Sequence, residues 1–141
     1  MKEKNSFNFR AWDKEYEVMT DWFWLSSEGD LYDTPVAVYD TPHREIERND
    51  DLIVMQYTGL KDMNNVEIFE GDIVKRTYLD GMFGRTHIGE VVYDKEYARY
   101  VISKPQKYTE PKTEDMRNTL SDRITYEVIG NIYQNKHLLE D

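Results

Sequence analysis

Residues 71–103 read GDIVKRTYLDGMFGRTHIGEVVYDKEYARYVIS, and this stretch decides the fold. Ile73–Leu79 and Thr86–Tyr93 are runs rich in β-branched and aromatic residues, parted by the breakers Asp80-Gly81 and Gly84. Such runs suit a pleated, half-buried surface, and the glycine-bearing gap predicts a hairpin. Asp94–Glu96 turns the chain into a third run, Tyr97–Ser103. Short strands at this spacing predict a small antiparallel barrel, because closure hides sheet edges.

Toward the C-terminus, Lys104–Asp122 is rich in Pro, Thr, Lys and Glu and reads as a long loop with one helical turn from Thr113. Thr125–Ile129 is the last strand, broken by Gly130, and Asn135 is placed to cap a turn through Leu139. In the other direction, Glu70-Gly71-Asp72 is a turn and Val66–Phe69 a short strand. Leu52–Tyr57 is the most apolar strand of the first half, broken by Thr58-Gly59. Lys61–Asn65 has turn chemistry, since Asp and Asn side chains bond nearby backbone and tolerate positive φ.

The N-terminal part is less regular. Phe7–Trp12 alternates, with Phe7, Phe9 and Ala11 on one face and Asn8, Arg10 and Trp12 on the other. Asp13–Glu15 turns into a return strand from Val18. Trp22–Leu25 is dense apolar bulk, ended by Ser26–Asp30. A short strand is expected over Val36–Tyr39. Thr41-Pro42 would open a short helix through Arg48 that only Ile46 can anchor.

Apolar residues are 39% and aromatics 13% of the 141 residues, which predicts one modest, aromatic-rich core. Cysteine is absent, so disulfides, thiolate metal sites and cysteine nucleophiles are excluded. The longest apolar runs, Trp22–Leu25 and Leu52–Met55, fall far short of the roughly 20 residues a spanning helix needs. MKEKNSFNFR has no apolar stretch behind it and is not expected to be a signal peptide. The expected location is therefore cytoplasmic, with no membrane contact.

Net charge is −10, concentrated in Asp13–Asp51, where 12 acidic residues face Lys14, Arg44 and Arg48. Such a face repels phosphate backbones and anionic lipid and favours basic partners, or simply aids solubility. Signals for chemistry are weak. His43, His87 and His137 are too widely spaced for a metal motif, and no phosphate-binding or nucleophile-elbow motif occurs. Asp62–Glu67 begins like a calcium loop but places Glu67 where the bend needs glycine. With 28 carboxylates, Glu70 and Asp72 around Gly71 are adjacent by chance as readily as by design. Lys75–Lys107 interleaves basic residues with Tyr78, Tyr93, Tyr97 and Tyr100, a pattern that can hold single strands on small barrels but that ordinary strands also produce by turning charges outward and rings inward, the reading that the nearby acids favour.

Phe9–Lys14 (FRAWDK), Met55–Asp62 (MQYTGLKD) with Glu70–Lys75 (EGDIVK), Gly89–Tyr93 (GEVVY) and Glu127–Asn135 (EVIGNIYQN) together resemble the YopX family of phage and prophage proteins. The resemblance spans the chain, with Trp24–Asp51 and Lys104–Asp122 departing from the motifs as insertions. It implies a bacteriophage or prophage origin and an SH3-like β-barrel in the C-terminal half, and it brings no catalytic residue. Asn64-Asn65 stands where the family often has Asn-Gly, and a hairpin survives because Asn tolerates positive φ. Gly59 and Gly71 then serve tight turns, Asp62 and Asp72 bond turn amides, and Gly130 bends the last strand.

The expected fold is α+β but mostly β: an N-terminal β-rich subdomain with the acidic insertion over 1–51, an SH3-like small antiparallel barrel over 52–141, and short helices. The expected function is a non-enzymatic phage or prophage accessory protein that binds a host or phage protein and needs no cofactor or metal. Single-stranded nucleic-acid binding and acidic DNA mimicry or host-factor inhibition are alternatives, and self-association is open. Candidate partner-binding residues are Trp12, Tyr57 and Tyr133, with Asp21, Glu28, Asp30 and Asp33 on the acidic arm.

Overall fold

A computed structural model of the chain describes residues 8–21, 23–33, 47–79, 86–103, 113–115 and 124–140. The expected strand Val36–Tyr39, the start of the helix at Thr41-Pro42, the Asp80–Gly84 hairpin loop and most of Lys104–Asp122 lie outside them. The described chain forms antiparallel β-sheets, and its one helical element is a 3₁₀ turn, Lys136–Leu139. It divides into two compact units, Asn8–Met55 and Gln56–Asp141.

In the unit Asn8–Met55, β1 (Phe9–Asp13) pairs with β2 (Val18–Thr20) through a tight hairpin. Asp13 Oδ1 accepts the Glu15 and Tyr16 amides (2.9 and 3.0 Å), and Glu17 takes φ 52 to close it. The expected two-faced alternation of β1 is only partial: Ala11, Trp12 and Asp13 are successive and all buried, while Phe9 is exposed. A second, three-stranded sheet contains β3 (Phe23–Leu25), β4 (Leu31–Asp33) and β5 (Glu47–Arg48). Glu47 and Arg48, expected to end a helix, instead pair with Asp33 and Tyr32. The acids around Arg48 favour this: its guanidinium reaches Asp30 at 3.3 Å and Asp50 at 2.7 Å.

The strand β6 (Leu52–Lys61) runs through the point where the two units meet in sequence. Thr58-Gly59 does not break it. The register with β7 (Glu67–Phe69) passes from Tyr57↔Phe69 to Lys61↔Glu67, so β6 carries two extra residues in a bulge. Gly59 supplies the required φ of 86. Thr58 Oγ1 donates to the Ile68 carbonyl (2.8 Å) and accepts the Leu60 amide (3.2 Å), standing in for ladder bonds the bulge removes.

The rest of this unit is a five-stranded antiparallel sheet. Its strands are β8 (Asp72–Tyr78), β9 (Thr86–Asp94), β10 (Arg99–Ser103), β11 (Thr113–Asp115) and β12 (Ile124–Asn131), ordered β11-β10-β9-β8-β12. The three runs of residues 71–103 are thus consecutive hairpin strands, as their pattern predicts. Thr113–Asp115 is a strand rather than a helical turn, pairing Thr113 with Ser103 and Asp115 with Val101. Gly130 lies within β12 at a register shift against β8, so it bulges the strand where a break was expected.

One face of this sheet carries the core. Val74, Val91, Ile102 and Tyr126 are buried with Ile68 of β7, flanked by Leu60, Tyr100, Ile124 and Val128. Ile73 and Val101, on the opposite face, are also buried, so the sheet is covered on both sides there. Buried Arg76 is accommodated by rings: its Cζ lies 4.6 Å from the Tyr78 centroid and 5.8 Å from that of Tyr126.

Candidate functional site

The motif residues shared with the resembling family build turns. Asp62 Oδ1 accepts the Asn64 and Val66 amides (2.8 and 2.9 Å), and Asn65 adopts φ 66, so the Asn-Asn hairpin forms as expected. Asp72, buried in the next turn, accepts the Phe69 amide through Oδ2 (2.8 Å). At the C-terminal end, Asn131 Oδ1 accepts the Tyr133 and Gln134 amides (both 3.0 Å). Asn135 sits at the start of the 3₁₀ turn without capping it; its Oδ1 turns back to accept the Asn131 amide at 3.2 Å. Gly130 makes room for that side chain, since a Cβ there would stand 2.6 Å from Asn135 Oδ1.

Two surfaces remain for function. The first is the β3–β4 hairpin in the unit Asn8–Met55. Leu25 and Leu31 are register partners, and between them Ser26 Oγ accepts the Glu28 and Asp30 amides (3.2 and 3.0 Å). The turn carries Glu28 and Asp30, and the strand before it carries Trp24, which is 60% exposed, and Leu25, which is 42% exposed. Asp21 is exposed two residues before β3, and Asp33 ends β4.

The second surface is a cleft of about 370 Å³ in the unit Gln56–Asp141, lined by Gln56, Glu70, Tyr93, Lys95 and Tyr100. The four-residue turn between β9 and β10 makes Tyr93 and Tyr100 register partners, and their rings meet edge to face (centroids 5.2 Å, 63°). Glu70 is held by its amide donating to the Gln56 carbonyl at 2.9 Å. Burial lifts the Tyr100 hydroxyl above its usual range, and the charges of Glu70 and Tyr93 add to the lift. Burial also lifts the Glu90 carboxyl, again with help from Glu70 and against Lys136. Among the described residues, neither Glu70 nor Lys95 forms an ion pair.

The sequence-predicted aromatic patch does not assemble as an exposed anchor. Trp12 and Tyr57 are each 8% exposed and Tyr133 is half-buried. Tyr57 packs its ring on Phe69, 5.6 Å between centroids, because the β6–β7 register sets them opposite. The exposed tryptophan among the described residues is Trp24, which the sequence offered only as apolar bulk. The expected turn Asp94–Glu96 would set Tyr93 opposite Tyr97; the observed turn of four residues after Asp94 sets it opposite Tyr100 instead.

Of the interleaved cations, Arg76 is buried, and Arg99 lies over the Tyr97 ring at 4.8 Å and 3.6 Å from Asp94. Arg85, Lys104 and Lys107 lie outside the described residues. His87 stands edge-on to Tyr78 (5.9 Å) and His137 is in the 3₁₀ turn; no group of three or more metal-ligating side chains occurs among the described residues. No helix among them is long and apolar enough to cross a membrane.

No curated protein matches the chain. Among solved structures it is similar to protein YopX from Bacillus subtilis, with 22% identity and a TM-score of 0.58 over 96% of this chain and 99% of that one. It is also similar to protein EF1440 from Enterococcus faecalis, with 25% identity and a TM-score of 0.49 over 94% and 97%. The first likeness extends the shared fold over nearly the whole chain. The family model described as "YopX protein" matches residues 8–140, which takes in every motif quoted above, and the chain belongs to the YopX family.

Proposed function

We propose that this chain is a non-enzymatic accessory protein of a bacteriophage or prophage, acting in the cytoplasm of the bacterial host by binding a host or phage protein with a basic surface. Its scaffold in this reading is an SH3-like barrel. Support for that finer architecture is the return of β12 beside β8, with its outer edge bonded by Asp62 and Met63 rather than left open. The observation that carries the binding reading is Trp24, exposed on a hairpin whose turn bears Glu28 and Asp30. An exposed Trp amid carboxylates suits a partner offering an apolar pocket ringed by Lys or Arg.

Nucleic-acid binding is the weaker reading, because Arg76 and Arg99 already engage tyrosines and Asp94 within the fold. Acidic mimicry of DNA is a special case of the favoured reading, in which the basic partner is itself a DNA-binding protein. Affinity capture from host cells with the intact chain and with Trp24→Ala tests the proposal. A partner retained by the first and lost by the second, with both chains folded, is the expected result. Equal recovery by both, or recovery only of nucleic acid with a steep salt dependence, overturns it.

A further inference from the structure

We propose that the cleft between Glu70 and the Tyr93–Tyr100 pair is a receptor for one arginine side chain of a polypeptide partner. It is separate from the acidic hairpin, lies in the other unit, and stands or falls independently of it.

The lining specifies the ligand. A space of about 370 Å³ is near the lower limit of small-molecule sites, roughly 300–1,000 Å³, and suits one long side chain better than a cofactor. Tyr93 and Tyr100 give it two π faces and two hydroxyls, with Tyr93 exposed and Tyr100 half-buried against the core. Glu70 provides a carboxylate that no cation among the described residues neutralises. Glu70 also acts on a second carboxylate, Glu90, whose carboxyl it helps to lift, so the two like charges feel each other. A cation entering the cleft relieves that repulsion, whereas an anion increases it.

Guanidinium is favoured over ammonium. It is planar, stacks on tyrosine faces, sheds water more readily and meets a carboxylate with two parallel N–H donors. The Gln56 side chain, on the same wall, offers a carbonyl oxygen for a further donor. The net charge of −10 draws basic chains to the surface before any contact is made. Lys95 is the counter-argument within the lining, and it makes the proposal sharper. It is exposed on the β9–β10 turn, so its ammonium can swing to solvent, yet it must repel an incoming cation.

The test uses the whole chain and N-acetyl-arginine methylamide as probe, followed by amide chemical shifts. The expected result is saturable shifts centred on Glu70, Tyr93 and Tyr100. The neutral isostere N-acetyl-citrulline methylamide should bind roughly tenfold or more weakly, since it lacks the charge-assisted pair. Glu70→Gln should weaken the arginine probe by a similar factor, and Tyr93→Leu, at an exposed position that folding tolerates, should weaken it several-fold. Lys95→Met should tighten it. Equal binding of the citrulline probe, shifts centred elsewhere, or a weaker complex with Lys95→Met would each overturn the proposal; the last would mark the cleft as an anion site.

Discussion

Asp62 Oδ2 accepts the backbone amide of Val128 at 3.0 Å, across 66 residues of sequence. The other oxygen of the same carboxylate holds the Asn64 and Val66 amides, and the Met63 amide donates to the Tyr126 carbonyl at 2.9 Å. One buried side chain thus builds the β6–β7 hairpin and seals it onto the outer edge of β12. Two bonds at Tyr126 and Val128 occupy part of the edge that another chain could otherwise join.

Asp62→Ala should therefore be among the most damaging single changes to this unit. It removes three charge-assisted bonds and strands their amides, for a loss of about 3 kcal/mol. Asp62→Asn keeps one acceptor and should lose roughly half as much. Urea unfolding of the three proteins checks the order. Equal stability of Asp62→Ala and the parent chain would show that water replaces the carboxylate at no cost.

The close approaches at Gly89 and Gly130 give a second test. A Cβ at Gly89 would run into the Ser103 carbonyl oxygen and Ile102 Cγ2, both on the neighbouring strand β10. Backbone cannot step aside easily, so Gly89→Ala should cost about 1–3 kcal/mol. At Gly130 the obstacle is the Asn135 side chain: rotation could move Oδ1 at the cost of its bond to the Asn131 amide, but Asn135 Cβ, at 2.7 Å, moves only with the backbone. Gly130→Ala should hence be much less harmful in an Asn135→Gly background than alone. A double-mutant cycle with no coupling between these positions would contradict the packing.

These contacts mark where the sequence was legible. Four strands of the five-stranded sheet, β8, β9, β10 and β12, could be read from β-branched and aromatic runs, because alternation and hairpin gaps are local signals; β11 could not, since Thr113–Asp115 reads as a helical turn in a polar loop. The bulges were not: Thr58-Gly59 and Gly130 read as breaks, since glycine ends many strands and nothing local tells that Thr58 Oγ1 or Asn135 will satisfy the interrupted ladder. Asp62 could be recognised as a turn-former, but its bond to Val128 joins residues too far apart for any pattern to reveal. Trp12 and Tyr57 were offered as anchors because an aromatic in a short strand can face either way. Burial of three successive residues, Ala11 to Asp13, is a tertiary outcome that alternation alone does not foresee. The helix through Arg48 yielded at Glu47 and Arg48 to ladder pairing with Asp33 and Tyr32, because a helical propensity resting on one apolar residue is weak.

Glu90 makes stability depend on pH in an inverted sense. Burial, then the Glu70 charge, raises its carboxyl above the unfolded value of about 4.3. Between that value and the raised one, the folded protein holds more protons than the unfolded chain. Stability contributed by this group is therefore full below the unfolded value and is lost as pH rises through the folded one. Glu90→Gln should flatten that part of the profile and leave the protein as stable as the parent, or more so, at neutral pH. Glu70→Gln should lower the Glu90 titration midpoint by removing its second cause. Carboxyl carbon shifts across pH read both effects, and a midpoint unmoved by Glu70→Gln would show that the two side chains do not share a field.

The acidic hairpin permits the same separation of folding from function. Replacing Asp21, Glu28, Asp30 and Asp33 by Asn or Gln removes four charges from a stretch that departs from the family motifs. Only one described ion pair is touched, Asp30 with Arg48 at 3.3 Å, and an exposed pair contributes about 0–1 kcal/mol. The turn itself should stand, because Ser26 Oγ and backbone atoms hold it. Stability should thus change little. Association with a basic partner should slow, and its salt dependence should flatten, since long-range attraction acts before docking. Trp24→Ala should do the reverse, leaving the on-rate nearly intact and raising the off-rate, because an aromatic anchor acts only once seated. Association and dissociation rates at two salt concentrations tell the cases apart. An unchanged on-rate for the quadruple variant at low salt would leave those carboxylates with solubility as their role.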